Sequence, residues 1–143
     1  MATYTVLMKR QELMQNGKDK LIERHNLNLG TYYFFEGYFI AEVKEGEVIT
    51  LEKLNDLIPL IFKYYGNGRP FSYISNRINS HSISPIDYLN CPLNEMENFN
   101  GYGVVTYTKI CETSVQVEKH FAKKPLYQFN NLEEAINWSK KSA

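Results

Sequence analysis

Runs of apolar and aromatic side chains predict the strands of this chain. In TYYFFEGYFIAEV such residues surround Glu36 and Gly37, and glycine supplies the positive φ that a tight hairpin needs. We therefore expect antiparallel strands at about 30–35 and 38–43, both so apolar that each has two covered faces. FSYISNR, FNGYGVVTYT and PLYQF predict three further strands.

Apolar residues at helical spacing predict the segments between these strands. In TLEKLNDLIPLIFKYY they recur every three or four positions, and Thr50 can cap the start. Pro59 falls on the polar side, where we expect it to bend the helix rather than end it. GNGRP predicts a turn. Three more helices are predicted by SPIDYL, by ETSVQVEKHFAKK with Ser114, Val117 and Phe121 on one face, and by NNLEEAINWSKK with an asparagine cap.

Alternation of strands and helices predicts an α/β fold. We expect a mostly parallel sheet of about five strands, begun by the antiparallel hairpin and continued by right-handed crossovers. We interpret residues 29–143 as one domain and residues 1–28 as an N-terminal extension. Within the extension, TYTVL predicts a short strand and KRQELMQNGKDKLIERH a helix interrupted by Gly17.

Composition and charge narrow the function classes. A chain of 143 residues can bury the core of one domain, and its 16 basic residues balance 16 acidic ones. This balance gives no long-range attraction to nucleic acid or to anionic membranes. No apolar run approaches the roughly 20 residues of a membrane span, and no secretory signal precedes the first strand. We therefore expect a cytoplasmic protein without an integral membrane segment, whose two cysteines stay reduced.

The ending PLYQFNNLEEAINW and the order of elements resemble a known group. The group is the STAS-like domains related to anti-sigma-factor antagonists, often called SpoIIAA-like. The resemblance runs from about residue 29 to the end, and it implies the fold and a regulatory or ligand-binding role without catalysis. The residues that carry it are Phe129, Glu133, Glu134, Ala135 and Trp138.

Ser84 allows two interpretations. The antagonists of this group that act as phosphoswitches carry a phosphorylated serine at the start of the helix after the second parallel strand, which corresponds to Ser84, with Ser80 and Ser82 nearby. The usual Asp-Ser-(Ser or Thr)-Gly pattern is absent here. The structural alternative is a capping box with Ser84 as the N-cap, Pro85 at the first helical position and Asp87 at the third. We favour the cap.

The loop SNRINSHS follows the carboxyl end of a predicted parallel strand, where α/β sheets bind ligands. Its arginine can hold a carboxylate or phosphate in bidentate fashion. The alternative is an ordinary polar loop whose side chains satisfy their own backbone. With a lysine that follows another strand end, the candidate binding residues are Asn76, Arg77, Asn79, Ser80, His81, Ser82 and Lys109.

No pattern in the sequence indicates a metal or a cofactor. The histidines His25, His81 and His120 are scattered, and the cysteines lack the spacing of zinc ligands. Glycine-rich phosphate loops and nucleophile motifs are also absent. The many aromatic residues fit a core better than a base-stacking platform, because the chain has no excess of positive charge.

Three hypotheses remain for the function. The first is a non-enzymatic regulatory or binding module that engages a protein partner or a small apolar or anionic ligand through the loop after the second parallel strand. The second is a small enzyme whose site combines Arg77, His81 and Lys109, which requires that these side chains converge in one pocket. The third is a homo-oligomer, for example a dimer, that pairs through the edge of its aromatic hairpin.

Overall fold

The computed structural model describes residues 20–142 together with Met8, Arg10 and Glu12. The strands are β1 (Leu21–Asn26), β2 (Gly30–Phe35), β3 (Tyr38–Val43), β4 (Val48–Ile49), β5 (Phe71–Asn76), β6 (Ser82–Ile83), β7 (Phe99–Val105) and β8 (Leu126–Phe129). The helices are α1 (Leu57–Tyr65), α2 (Pro85–Leu89), α3 (Lys109–Glu118) and α4 (Leu132–Ser142), with 3₁₀ turns at Glu52–Asp56 and Pro92–Glu95.

Six strands form one mixed sheet in the order β1-β2-β3-β5-β7-β8. The first three strands are antiparallel neighbours, and the remaining pairs are parallel. A separate two-stranded parallel ladder joins β4 to β6. The predicted α/β fold, with its antiparallel hairpin followed by parallel strands, is therefore confirmed. No helix in the described residues is long and apolar enough to span a bilayer.

The N-terminal prediction requires a correction. Residues that we expected to end a helix form β1, which pairs with β2. The predicted strand TYTVL lies outside the described residues. Because β1 occupies the free edge of β2, the aromatic hairpin cannot pair with another chain through that edge. The hypothesis of pairing through the hairpin edge is therefore wrong. The exposed edge strand β1 carries Glu23 and Arg24, charges of the kind that discourage edge-to-edge association.

Alternating side chains give the sheet two apolar faces. On one face, Tyr32 and Phe34 of β2 join a cluster with residues of α1, α2 and α3. On the other face, Tyr33 and Phe35 pack in a cluster with α4. The prediction that the hairpin strands are covered on both faces is confirmed, because successive side chains of a strand point to opposite sides.

The predicted helix over residues 50–65 is divided into a 3₁₀ turn and α1. The Lys53 amide donates to Thr50 Oγ1 at 3.3 Å, so Thr50 caps the start as predicted. Pro59 lies in the first turn of α1, where an amide has no intrahelical acceptor and its loss costs little. Phe62, one of the apolar residues of this segment, is 48% exposed.

The helix α3 also differs from its prediction. It ends at Glu118, and its buried residues are Val115 and Glu118, whereas Val117 is 54% exposed. The buried face therefore contains the carboxylate of Glu118, which pairs with the buried Arg77. Thr108, which we placed in the preceding strand, instead caps α3 by accepting from the Cys111 amide at 3.2 Å.

Candidate functional site

The loop that follows β5 is fixed along its length to the segment that follows β3. Gly46 donates its amide to the Ser80 carbonyl, and Ser82 donates to the Glu47 carbonyl. The Ser80 amide is bound by the Glu45 carboxylate at 2.8 Å. The short β4–β6 ladder continues this attachment. The loop is therefore held in place by residues some 35 positions away in the sequence. This differs from the alternative interpretation, in which the loop's own side chains satisfy its backbone.

Asn76 lies at the end of β5 and is buried. Its side-chain amide donates to the Glu42 carboxylate at 2.9 Å, and its carbonyl oxygen accepts from the Tyr107 hydroxyl at 2.5 Å. Arg10 also donates to Glu42, at 2.8 Å. Burial raises the pKa of Glu42, against the opposing charge of Arg10 and the Asn76 hydrogen bond. Asn76 thus belongs to a polar cluster at the end of the strand.

Arg77 is buried and forms a bidentate ion pair with Glu118 of α3. Its two terminal nitrogens lie 2.6 and 2.5 Å from the two carboxylate oxygens. Burial opposes ionisation of Glu118, but the hydrogen bonds and charge of Arg77 outweigh it and lower the pKa of Glu118. The guanidinium that we expected to hold an anion already holds a carboxylate of its own chain.

His81 lies beside this ion pair. Both ring nitrogens are buried, and the backbone of Asn79 forms a hydrogen bond with the ring. Burial, reinforced by the positive charge of Arg77, lowers the pKa of His81 to about 4. The imidazole is therefore neutral at pH 7.

The remaining candidate residues are peripheral. Asn79 donates to the Val43 carbonyl at 3.3 Å, which attaches the loop to β3. Ser80 and Ser82 are exposed. The Lys109 side chain is 92% exposed and pairs with Glu112 at 3.5 Å. Because Arg77 is buried and Lys109 is in solvent, the enzyme site that required both in one pocket with His81 is not assembled.

The start of α2 departs from the predicted capping box. Ser84 occupies the N-cap position and Pro85 the first helical position, but the Ser84 side chain accepts no capping bond. Asp87 instead accepts from the Leu51 amide at 3.2 Å. The carboxylate that we expected to cap its own helix thus caps the start of the 3₁₀ turn before α1. The phosphorylation of Ser84 stays a prediction.

A cavity lies between the sheet and α2. Its volume is about 40 Å³, which exceeds the roughly 10–15 Å³ needed to hold one water. We call it the tyrosine cavity. Ile83 and Asp87, both half-buried, form the part of its wall nearest to solvent. The lining residues are Ile49, Leu54, Tyr73, Ser75, Ile83, Asp87, Tyr88, Cys91 and Tyr102.

The polar groups of this wall are uncharged, apart from Asp87. Burial raises the pKa values of Tyr73, Tyr88 and Tyr102 above the ordinary value for tyrosine, so their hydroxyls stay protonated. Burial likewise raises the pKa of the Cys91 thiol. A protonated thiol is a poor nucleophile. These groups can form hydrogen bonds and apolar contacts, but they are not poised to exchange protons near neutral pH.

Hydrogen bonds join the tyrosine cavity to the buried ion pair. Tyr88 donates to Glu118 Oε1 at 3.2 Å, and Arg77 Nε donates to Ser75 Oγ at 3.3 Å. Ser114 of α3 donates to Glu118 Oε2 at 3.1 Å. The network fixes β5, α2 and α3 to one another around the cavity. Arg77 is thus connected to Ser75 and, through Glu118, to Tyr88 of the cavity wall, although no residue from 76 to 82 lines the cavity.

Sequence reasoning missed the residues that line the cavity. Tyr73 and Ser75 were recognised only as alternating positions of β5, although that alternation places both on one face. Tyr88 and Tyr102 come from segments that the sequence does not connect. The signal that was available is a tyrosine on each of two predicted parallel strands, Tyr73 and Tyr102. No group of three or more histidine, cysteine or acidic side chains in the described residues has the arrangement of a metal site.

Comparison with known proteins identifies the fold. No family model matches the chain, and no curated protein matches it. Among solved structures, it is similar to an uncharacterized DUF3478-family protein from Shewanella loihica PV-4, which is described as having a SpoIIAA-like fold. The two chains are 15% identical, with a TM-score of 0.51, over 84% of this chain and 92% of that one. The SpoIIAA-like fold predicted from the sequence is confirmed.

Proposed function

We propose that the protein is a non-catalytic binding module that takes a small, mainly apolar ligand into the tyrosine cavity. The observation that carries the proposal is the cavity itself, a space of about 40 Å³ around which the polar side chains of Tyr73, Ser75 and Tyr88 are buried. Its wall combines apolar surface with a few fixed hydroxyls, which is the usual composition of a small-molecule site. Its wall is connected to Arg77 of the loop after the second parallel strand through Ser75, Tyr88 and Glu118.

The chemistry of the wall supports binding rather than catalysis. A general acid or base needs a pKa near the working pH. The tyrosines and Cys91 have raised pKa values, and the neighbouring His81 has a pKa of about 4. Arg77 and Glu118 neutralise each other. The anionic ligand of the original hypothesis is less favoured than an apolar one, because the arginine proposed to hold it is engaged.

Nuclear magnetic resonance titration tests this function. The probe is ethanol, a small neutral molecule with an apolar end and one hydroxyl group. We expect saturable shifts of the amide signals of residues that line the tyrosine cavity. If ethanol shifts none of those signals at concentrations that leave the protein folded, the proposed function is wrong.

Two variants of β4 locate the binding site. Ile49→Phe places a larger side chain in the cavity wall, whereas Val48→Phe makes a similar enlargement at the adjacent, 45% exposed position. We expect binding to be lost in Ile49→Phe and retained in Val48→Phe. Binding that persists in a folded Ile49→Phe protein would place the ligand elsewhere and contradict the proposal.

Protein binding through α3 is a second candidate function. Ile110 and Val117 are 84% and 54% exposed, and their spacing of seven puts them on one face of the helix. Crosslinking in cells with Ile110→Lys and Val117→Lys tests this surface, with Phe62→Lys on α1 as the control. A partner captured by the parent and the control but lost by both α3 variants supports the candidate. A partner that all variants retain excludes this face.

A further inference from the structure

A larger pocket lies on the face of the sheet opposite to the tyrosine cavity. Its wall includes Tyr33, which belongs to the apolar cluster with α4, and Glu42, which alternation along β3 places on the same face as Ile40. Its volume is about 530 Å³, within the roughly 300–1,000 Å³ of small-molecule sites. We call it the basic pocket.

The basic pocket lies where two neighbouring parallel strands end. Lys44 follows β3 and Asn79 follows β5, and both residues line the pocket. Because β3 and β5 are parallel, their carboxyl ends meet at one edge of the sheet. Ligands of open α/β sheets bind at this edge. The position therefore suits a ligand, and it includes a residue of the loop after β5.

Basic side chains outnumber acidic ones in the wall of this pocket. Arg10, Arg24 and Lys44 are the basic residues, and Glu42 is the acidic one. Glu42 is paired with Arg10, at 2.8 Å. Arg24 and Lys44 are exposed, and neither forms an ion pair with another described residue. The wall thus has an excess of two positive charges, which favours an anion.

Tyr33 brings the two guanidinium groups close to each other. The Arg24 guanidinium carbon lies 5.7 Å from the centre of the Tyr33 ring, and Arg10 Nη1 donates to the Tyr33 hydroxyl at 3.4 Å. Arg10 Nε is buried and has no acceptor among the described residues. A buried donor without an acceptor costs free energy, which an anion's oxygen can recover. Guanidinium groups suit the oxygens of phosphates and carboxylates.

We propose that the basic pocket binds the phosphate group of a small organic phosphate monoester, with Arg24 and Lys44 contacting its oxygens. A phosphate monoester carries between one and a half and two negative charges at pH 7, close to the excess of positive charge in the wall, and it offers three oxygens. A carboxylate offers one charge and two oxygens. The site is separate from the tyrosine cavity, so this inference goes beyond the proposed function.

Three small molecules with related carbon chains separate the ligand classes. Glycerol 3-phosphate carries the phosphate, glycerate carries a carboxylate, and glycerol is neutral. We expect calorimetric titration of the full chain to show glycerol 3-phosphate binding at least about tenfold more tightly than glycerate, because its second charge and third oxygen contact a further basic group. Glycerol should not bind in this pocket.

Substitutions of exposed basic residues locate the phosphate. Arg24→Gln and Lys44→Gln each remove one charge from the basic pocket, and we expect each to lower the affinity for glycerol 3-phosphate about tenfold. The matched controls are Arg69→Gln and Lys63→Gln, whose side chains are 70% and 61% exposed and do not line this pocket. Both controls should bind with the parent's affinity.

The outcomes also separate this site from the tyrosine cavity. If glycerol 3-phosphate does not bind, or binds Arg24→Gln and Lys44→Gln as tightly as the parent, the inference is wrong. Glycerate that binds as tightly as the phosphate would contradict the ligand class. We expect Ile49→Phe to retain phosphate binding. Loss of binding in a folded Ile49→Phe protein would place the phosphate in the tyrosine cavity and overturn the inference.

Discussion

Two aromatic regions on the same face of the sheet have different interiors. Beneath α1, Phe34, Phe39, Tyr65 and Phe71 form a continuous stack, in which the rings of Tyr65 and Phe71 lie 4.5 Å apart and are almost parallel. We call this the packed half. Beneath α2, the rings of Tyr73, Tyr88 and Tyr102 surround the tyrosine cavity. We call this the cavity half. The sheet supplies aromatic side chains to both.

The covering layer accounts for the difference. α1 has nine residues and inserts Leu57, Ile61 and Tyr65 into the core. The Tyr65 hydroxyl also lies 2.8 and 2.6 Å from the carbonyl oxygens of the hairpin residues Phe35 and Tyr38, to which it donates. The cavity half is covered by a five-residue helix and a 3₁₀ turn. It is held by polar contacts, above all the Arg77–Glu118 pair, in addition to the apolar packing of Tyr88, Leu93 and Val115.

Breaking the ion pair should have the largest effect on the cavity half. Arg77→Met leaves the Glu118 carboxylate buried without a counter-charge. Such a loss costs roughly 3–5 kcal/mol, and we expect the free energy of unfolding in urea to fall by this amount.

A double variant distinguishes charge from shape. Because the pair can be replaced by apolar residues at little cost, Arg77→Met combined with Glu118→Leu should recover most of the stability. If the double variant is as unstable as Arg77→Met alone, the ion pair does not hold the cavity half in the way described.

The pH dependence of stability gives the next largest effect. The folded state binds a proton at His81 only near pH 4, whereas the unfolded state binds it near 6.5. Falling pH therefore favours the unfolded state, and His81 should remove at most about 3 kcal/mol of stability between pH 6.5 and 4.

Denaturation of the parent and of His81→Phe across this range measures that contribution. The Glu118 carboxylate acts on the same ring, and its pKa is lowered from the ordinary value of 4.5. The stability that Glu118 contributes is therefore lost only as the pH falls below about 4.5. The difference between the two proteins isolates the histidine. A difference that does not change between pH 6.5 and 4 would show that the ring is not buried as described.

Matched enlargements in the two halves give the smallest effect. Ile61→Phe adds volume to the packed half, where overpacking costs roughly 1–3 kcal/mol. Ile49→Phe adds the same atoms beside the tyrosine cavity, and we expect a cost below about 1 kcal/mol. Calorimetric melting of both variants compares them. Equal costs would mean that the two halves are equally packed.

The same two regions show how far the sequence alone could lead. The strands β2, β3, β5, β7 and β8 were predicted, because their apolar patterns are local. The first strand was missed, since a polar edge strand such as LIERHN lacks that pattern. The split of the helix before α1 was also missed. The Asp87 carboxylate that caps the start of the 3₁₀ turn lies 36 positions from the Leu51 amide, so the sequence gives no local sign of this contact.

The binding role of the loop after β5 stays a prediction, because none of its candidate residues lines the tyrosine cavity. Arg77 was expected to face a ligand. Its partner Glu118 is 41 positions away, and nothing in the sequence connects the two. A cavity is a space left between elements, and its existence depends on how completely a short helix covers a sheet. The pattern of residues in the sequence does not show how completely that helix covers the sheet.

A crystal structure determined under xenon pressure tests the central comparison most directly. Xenon enters apolar cavities and is excluded from close-packed cores. We predict one xenon site among Tyr73, Tyr88 and Tyr102, and none among the stacked rings beneath α1. The absence of xenon from the tyrosine cavity, or a site of equal occupancy in the packed half, would contradict the account.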